Sequence, residues 1–250
     1  MKITVFILTF ASVGRILWID DSPALSGLGS LYGCLFFCRE VSMKPRSIVY
    51  VDGFNFYYGA VRGTPYKWLD MEKCFLRMRP GDDIRRIWYF TALVDGPKGT
   101  RQQIYLRALA TKPLVQVILG KFKLKQVKCG VTLCTYPGSR IFDMPEEKRT
   151  DVNIALQLLD DANHNRADQL IIVSGDSDLV PALEMVKAQW PTKRLFVYVP
   201  SRHPVRGAAV ELRNAADKHK TFPLQLLKVC QFPVEVSDGR GGVIHKPVGW

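Results

Sequence analysis

The sequence has no Cys-x-x-Cys pair; its six cysteines are scattered at positions 34, 38, 74, 129, 134 and 230. The two close pairs, Cys34 with Cys38 and Cys129 with Cys134, lack the matching second half that a zinc site of four ligands needs. Cys129 and Cys134 flank Gly130, where a hairpin is expected. A local metal or redox role stays open for them beside the commoner reading, free thiols in a reducing cytoplasm. Histidine is equally sparse: His164, His203, His219 and His245 stand apart with no ligand spacing and are assigned no catalytic role. No apolar stretch supplies the roughly 20 residues that a membrane-spanning helix needs, so no membrane partner is expected. Internal repeats and low-complexity tracts are also absent, which excludes a repeat array.

What the chain does have is a core and an excess of positive charge. With 250 residues, 47% of them hydrophobic and 23% charged, it suits one soluble domain with extensions. The formal net charge is +12. Residues 1–42 balance Lys2, Arg15 and Arg39 against Asp20, Asp21 and Glu40, so the whole excess lies in residues 43–250. A basic domain of this kind suits a polyanion, with nucleic acid ahead of a merely solubilising surface.

Residues 1–42 differ in character from the rest of the chain. The apolar run at 3–11 has about the length of a signal-peptide core, but its positive flank is thin and the cleavage pattern poor. Met43-Lys44-Pro45-Arg46 then reads as a fresh start ahead of a strand. Residues 1–42 are therefore taken as an N-terminal extension that need not belong to the native protein, whose initiator is then Met43. Residues 43–235 form the domain, and residues 236–250 a loosely held tail.

Within the domain, apolar runs at 47–51, 84–94, 115–119, 170–173 and 194–199 read as strands. Helical spacing at 69–78, 99–111, 150–159, 179–186 and 206–216 separates them. Residues 222–230 are apolar enough for either element. Strands alternating with helices predict an α/β fold with a mostly parallel central sheet. Residues 120–135 break the pattern: GKFKLKQVKCGVTLCT alternates basic with apolar, as a half-exposed antiparallel ribbon does. Lys121, Lys123, Lys125 and Lys128 line either a phosphate track or a solvated strand edge protected by lysines. Residues 137–145 read as loop, and 146–151 as the start of the next helix.

Aspartates gather where strands end. Asp52 follows the first strand, and Asp176 and Asp178 follow the run at 170–173. Asp151 opens the helix before that run. In an open parallel sheet the carboxyl edge of the strands is where ligands bind. If the strands at 47–51 and 170–173 are neighbours, four carboxylates converge there. Such a set repels itself unless a cation lies between, and hard oxygen donors suit Mg²⁺ or Mn²⁺. The bland readings are that one of Asp176 and Asp178 only caps a helix, that Asp151 is only a helix-terminal acid, and that Asn55 only holds a turn. Asp160 and Asp161 read as solvated helix acids. Lys148 and Arg149 are the cations nearest in sequence to the acids.

Three segments carry a family resemblance: VDGFNFYYG at 51–59, EKRTDVNIALQLL at 147–159 and SGDSDLVPAL at 174–183. Together, in this order, they resemble the motifs of the NYN domain family of PIN-like, or flap-nuclease-like, ribonucleases, over residues 45–230. The resemblance implies a PIN-like three-layer α/β/α sandwich and Mg²⁺- or Mn²⁺-dependent cleavage of RNA. It implies that Asp52, Asp151, Asp176 and Asp178 are the catalytic, metal-holding acids, with Asn55 and Ser174 as polar companions. Lys121, Lys123, Lys125, Lys148 and Arg149 are the candidate RNA contacts. Relatives often carry a small residue such as glycine just before the helix acid, where this chain has Arg149-Thr150.

The leading expectation is thus a cytoplasmic ribonuclease that cuts within its RNA, and its alternative a non-catalytic RNA-binding adaptor on the same fold. Oligomeric state is not set by the sequence, with a homodimer among the options. A phospho-aspartate phosphatase needs a DxD after the first strand, and a topoisomerase-primase site needs a glutamate there. Asp52-Gly53-Phe54 supplies neither. Amino-terminal sequencing of the native protein is expected to begin at Met43 or just after it; a mature end inside residues 10–16 would instead establish secretion.

Overall fold

The structure is a computed structural model that describes residues 43–94, 96–202 and 210–250. The segment 1–42, with Cys34, Cys38 and the apolar run, lies outside the described residues, as do His203 and the first part of the helix expected at 206–216.

The apolar runs become strands, as their β-branched composition favours. In chain order the strands are β1 (Arg46–Asp52), β2 (Asp83–Thr91), β3 (Val115–Leu119), β4 (Lys121–Lys128), β5 (Ile141–Lys148), β6 (Gln169–Val173), β7 (Arg194–Val199) and β8 (Lys218–Thr221). Six of them form one sheet in the order β3-β2-β1-β6-β7-β8, and every pairing in it is parallel. The chain builds outward from β1 through β2 to β3, then returns to place β6 on the other side of β1. The crevice between β1 and β6 is therefore the switch point of the sheet.

Alternate residues of β1 and β6 feed two cores. Val49, Val51, Ile171 and Val173 pack with Phe56, Trp68, Phe75 and Tyr105. Those residues come from α1 (Gly53–Phe56), α2 (Met71–Met78), α3 (Gly96–Leu109) and the segment between the first two. Ile48, Tyr50, Leu170 and Ile172 pack with Ile154, Leu158, Leu183 and Leu212. This second layer consists of α4 (Thr150–Asn163), α5 (Val180–Gln189) and α6 (Val210–Ala215). Helices on both faces of a parallel sheet give the expected three-layer α/β/α architecture. No helix among the described residues is long and apolar enough to cross a membrane.

Strands β4 and β5 stand apart as a two-stranded antiparallel ribbon, the form the alternation in 121–128 predicts. Its second strand differs from the sequence reading. Residues 141–148 were expected as loop and helix start, yet all eight pair with β4. Pairing partners that lie across a twelve-residue excursion leave no local signal. The turn expected at Gly130 is replaced by that excursion, closed where the Cys129 N–H donates to the Arg140 carbonyl at 2.7 Å. Residues 236–250, expected as a loose tail, instead fold back. Strands β9 (Glu235–Ser237) and β10 (Val243–His245) pair antiparallel, Val236 and Ile244 are buried, and Trp250 packs against Trp68 and Tyr105. Short helix α7 (Gln225–Val229) precedes them.

Asp161 is also corrected. It is fully buried, not solvated. One carboxylate oxygen accepts from the Tyr50 hydroxyl at 2.8 Å and the Trp88 indole N–H at 2.9 Å. The other accepts from Gln157 at 3.2 Å and Arg166 at 2.8 Å. Four donors compensate the desolvated charge, and they pin α4 to β1 and β2. Burial, then Asp161, holds the Tyr50 phenol well above its ordinary pKa, so it remains a donor. Removing one member of such a buried charged set costs ~3–5 kcal/mol. Asp161→Ala is expected to lose that much in urea unfolding; a loss below about 1 kcal/mol, the worth of an ordinary hydrogen bond, would show that the network does not anchor the helix.

Candidate metal centre

The site begins where β1 runs out. Gly53 must be glycine, because a Cβ there would lie 2.5 Å from the Phe90 carbonyl oxygen. The chain therefore turns at once and Asp52 caps α1, one of its oxygens accepting from the Asn55 N–H at 2.9 Å. Its other oxygen accepts from the Ser174 hydroxyl at 3.0 Å. The Asn55 side-chain carbonyl in turn accepts from the Gly175 N–H at 2.9 Å, and the Ser174 hydroxyl accepts from the Asp176 N–H at 3.1 Å. The loops after β1 and β6 are thus tied to each other across the switch point. Asn55 does more than hold its own turn.

Three carboxylates collect beside this tie. Asp151 stands in the first turn of α4, and Asp176 and Asp178 follow β6. One oxygen from each lies within 4.8 Å of the other two. Asp176 also caps a 3₁₀ turn over Ser177–Leu179, accepting from the Asp178 N–H at 3.0 Å. Capping does not account for the group. A cap stabilises by about 1 kcal/mol, whereas two unit charges about 4 Å apart near a protein surface repel by ~4 kcal/mol.

Asp52 lies outside the group of three, and it is buried. Burial raises its pKa to about 6 against the pull of the Asn55 and Ser174 hydrogen bonds, and the Asp151 and Glu147 charges push the same way as burial. Asp151 is likewise raised to about 6, by burial first, then by Asp176, Glu147 and Asp178. Glu147 was missed by sequence reasoning. It lies at the end of β5 and its carboxylate accepts from the Thr150 hydroxyl. Its one sequence signal was its place at the head of EKRTDVNIALQLL, which reading that stretch as a helix start concealed. The donors of the trio are hard, anionic and mutually repelling, so they fit Mg²⁺ or Mn²⁺.

The basic residues divide into two kinds. In the ribbon Lys121 lies opposite Lys148 and Lys123 opposite Glu146. Lys148 pairs with Glu146 at 2.9 Å, and Lys125 approaches the same carboxylate at 3.9 Å. Lys121 and Lys123 have no ion-pair partner among the described residues, and both are exposed. Phe122 packs edge-on against Phe54 at 5.4 Å, which fastens the ribbon to α1. Arg149 is exposed and precedes α4 with φ 79°, the left-handed conformation that glycine adopts without strain. That is the position at which the sequence departs from the family pattern. Cys129 and Cys134 are both free and lie on the excursion between β4 and β5.

Because Asp52 and Asp151 bind their protons more tightly folded than unfolded, their share of stability is present below about pH 4 and lost as pH rises through about 6. A divalent cation held by the trio would restore the Asp151 share by competing with its proton. The gain in Tm on adding Mn²⁺ is expected to be larger at about pH 7.5 than at about pH 5, and to shrink sharply in Asp151→Asn. An equal gain at both pH values, or one unchanged in the variant, would contradict this arrangement.

Among known proteins, a family match bears on the fold of this chain. The family described as NYN domain matches residues 46–224. The 6-hydroxy-3-succinoylpyridine 3-monooxygenase HspA of Pseudomonas putida (strain DSM 28022 / S16) is 31% identical over 245 residues, covering 85% of this chain and 78% of that protein. A solved structure, a protein of unknown function from Vibrio parahaemolyticus RIMD 2210633, aligns with a TM-score of 0.48 at 21% identity, over 73% of this chain and 95% of that one. On the match across residues 46–224, this chain belongs to the NYN domain family and has its nuclease-type fold.

Proposed function

We propose that the chain hydrolyses RNA phosphodiester bonds with a bound Mg²⁺ or Mn²⁺. The observation that carries this reading is the meeting of Asp151, Asp176 and Asp178 within 4.8 Å at the switch point, beside a basic ribbon. The three would hold the cation, which when bound supplies an activated water and neutralises charge on the scissile phosphate. Asp52, fixed through both oxygens, adds negative potential behind the trio and keeps the loop after β6 in place through Ser174. Asn55 holds the same loop through Gly175. Lys121, Lys123 and Arg149 are the cations available to phosphates. Lys125 and Lys148 share Glu146, so they contribute less. The trio's Asp178 and the ribbon lysines are exposed, an open layout that supports cleavage within a strand.

The test is incubation of the purified full chain with a mixed RNA pool and Mn²⁺ or Mg²⁺, with EDTA as control. Asp176→Asn is expected to lower the cleavage rate by on the order of a hundredfold, the upper range for disturbing a metal site. Equal cleavage by both proteins would sink the reading. RNA binding that survives EDTA without cleavage would favour the adaptor.

A second reading rests on the 31% identical relative, which is named a 6-hydroxy-3-succinoylpyridine 3-monooxygenase. On that reading the site serves oxidation of a small aromatic acid. Oxygen uptake with 6-hydroxy-3-succinoylpyridine and a reductant, abolished in Asp176→Asn, would support it over RNA cleavage.

A further inference from the structure

A cavity of about 320 Å³ opens beside α1, lined by residues of the segment 53–71, the end of β2, the start of α3, and Trp250. None of Asp52, Asp151, Asp176 and Asp178 lines it, but Gly53, directly after Asp52, does, so it adjoins the acid site without including its acids. Its size falls at the lower end of small-molecule pockets, roughly 300–1,000 Å³. Three properties of its lining define a ligand.

The first is charge. Arg62, Lys67, Lys98 and Arg101 line the cavity, and among the described residues no acidic one does. Among the described residues none of these four makes an ion pair. Arg62 lies over the Tyr58 ring at 5.3 Å. Lys98 and Arg101 sit in the opening turns of α3, a 14-residue helix with no acid in its first turn, so the positive end of the helix adds to the same potential. Four like charges around one small concavity repel unless an anion enters.

The second is aromatic wall. Tyr57, Tyr58, Tyr105 and Trp250 contribute to the lining. Tyr57 and Tyr58 are partly exposed, which is a poor use of large rings unless something covers them. The third is an unused hydroxyl. Tyr89 is only 7% exposed and lines the cavity, and its hydroxyl has no hydrogen-bond partner among the described residues. That hydroxyl is open to the cavity rather than sealed in the core, so a polar ring atom of a ligand can pair with it. Other polar groups nearby are already used: Gln102 donates to the Thr91 hydroxyl at 3.2 Å and the Ala92 carbonyl at 2.9 Å, and accepts from the Val94 N–H at 2.9 Å.

We infer that this cavity binds a planar aromatic ring carrying one anionic group, with the ring among the tyrosines, the anion on Arg101 and its neighbouring cations, and a ring polar atom on Tyr89. That chemistry belongs equally to a nucleotide of RNA and to a free aromatic acid. The inference stands on the cavity alone and does not depend on what the acid site does.

The test is calorimetric titration of the full chain with two matched pairs of probes: uridine 5′-monophosphate with uridine, and 4-hydroxybenzoate with 4-hydroxybenzamide. In at least one pair the anionic member is expected to bind more tightly by about tenfold, the worth of one charge-assisted hydrogen bond. The pair that shows the difference identifies the source, nucleotide or free acid. Tyr89→Phe and the surface change Lys98→Gln should each weaken that binding several-fold, while the urea unfolding midpoint stays as in the parent chain and reports an intact fold. If the neutral member of each pair binds as tightly as its anion, or both variants bind like the parent, the inference is overturned.

Discussion

The hydroxyl of Ser174 on the carboxylate of Asp52, at 3.0 Å, joins two loops that are 122 residues apart in the chain. Both loops follow strands that are adjacent only because the chain crosses back over the sheet. In a parallel sheet neighbouring strands need long connections, so the carboxyl edge collects residues from remote segments. The tie turns this topological nearness into fixed geometry. It holds Asp52 and sets the path of the loop carrying Asp176 and Asp178. Asp161 performs the corresponding service for the helix that brings Asp151, through Tyr50 and Trp88 at its other end.

The site gathers negative charge inside a chain of net positive charge, and the two facts belong together. Burial and mutual repulsion raise Asp52 and Asp151 to about 6, a cost in folding free energy that a domain accepts when the clustered charge has a chemical role. The surrounding lysines and arginines do not quench it. Glu146 takes up Lys125 and Lys148, which leaves the trio itself without a described ion pair to a lysine or arginine.

Strands were legible because burial on both faces leaves continuous apolar runs, as at 47–51 and 170–173, and the ribbon's first strand because its lysines alternate. Asp52, Asp176 and Asp178 stood out because they follow those runs, Asp151 because it opens a helix, and Arg149 because it occupies a position that favours a small residue. What was hidden is non-local. Strand β5 depends on a partner across a loop, so its acids and proline read as loop and helix start, and Glu147 was lost with it. Asp161 looks like any polar residue on a helix until Tyr50 and Trp88 are placed over it. The cavity draws on residues from position 53 to position 250, and no window of sequence contains it.

At Arg149 a side chain is held at φ 79°, which costs ~1–2 kcal/mol relative to an ordinary backbone. A library of variants selected for heat resistance should therefore accumulate glycine at 149. At Gly59, where a Cβ would fall 1.8 Å from the Pro200 carbonyl oxygen, the same library should return the parent residue alone. The two positions mark opposite ends of evolutionary freedom in one fold: a residue whose replacement relieves the backbone, and one that admits no replacement.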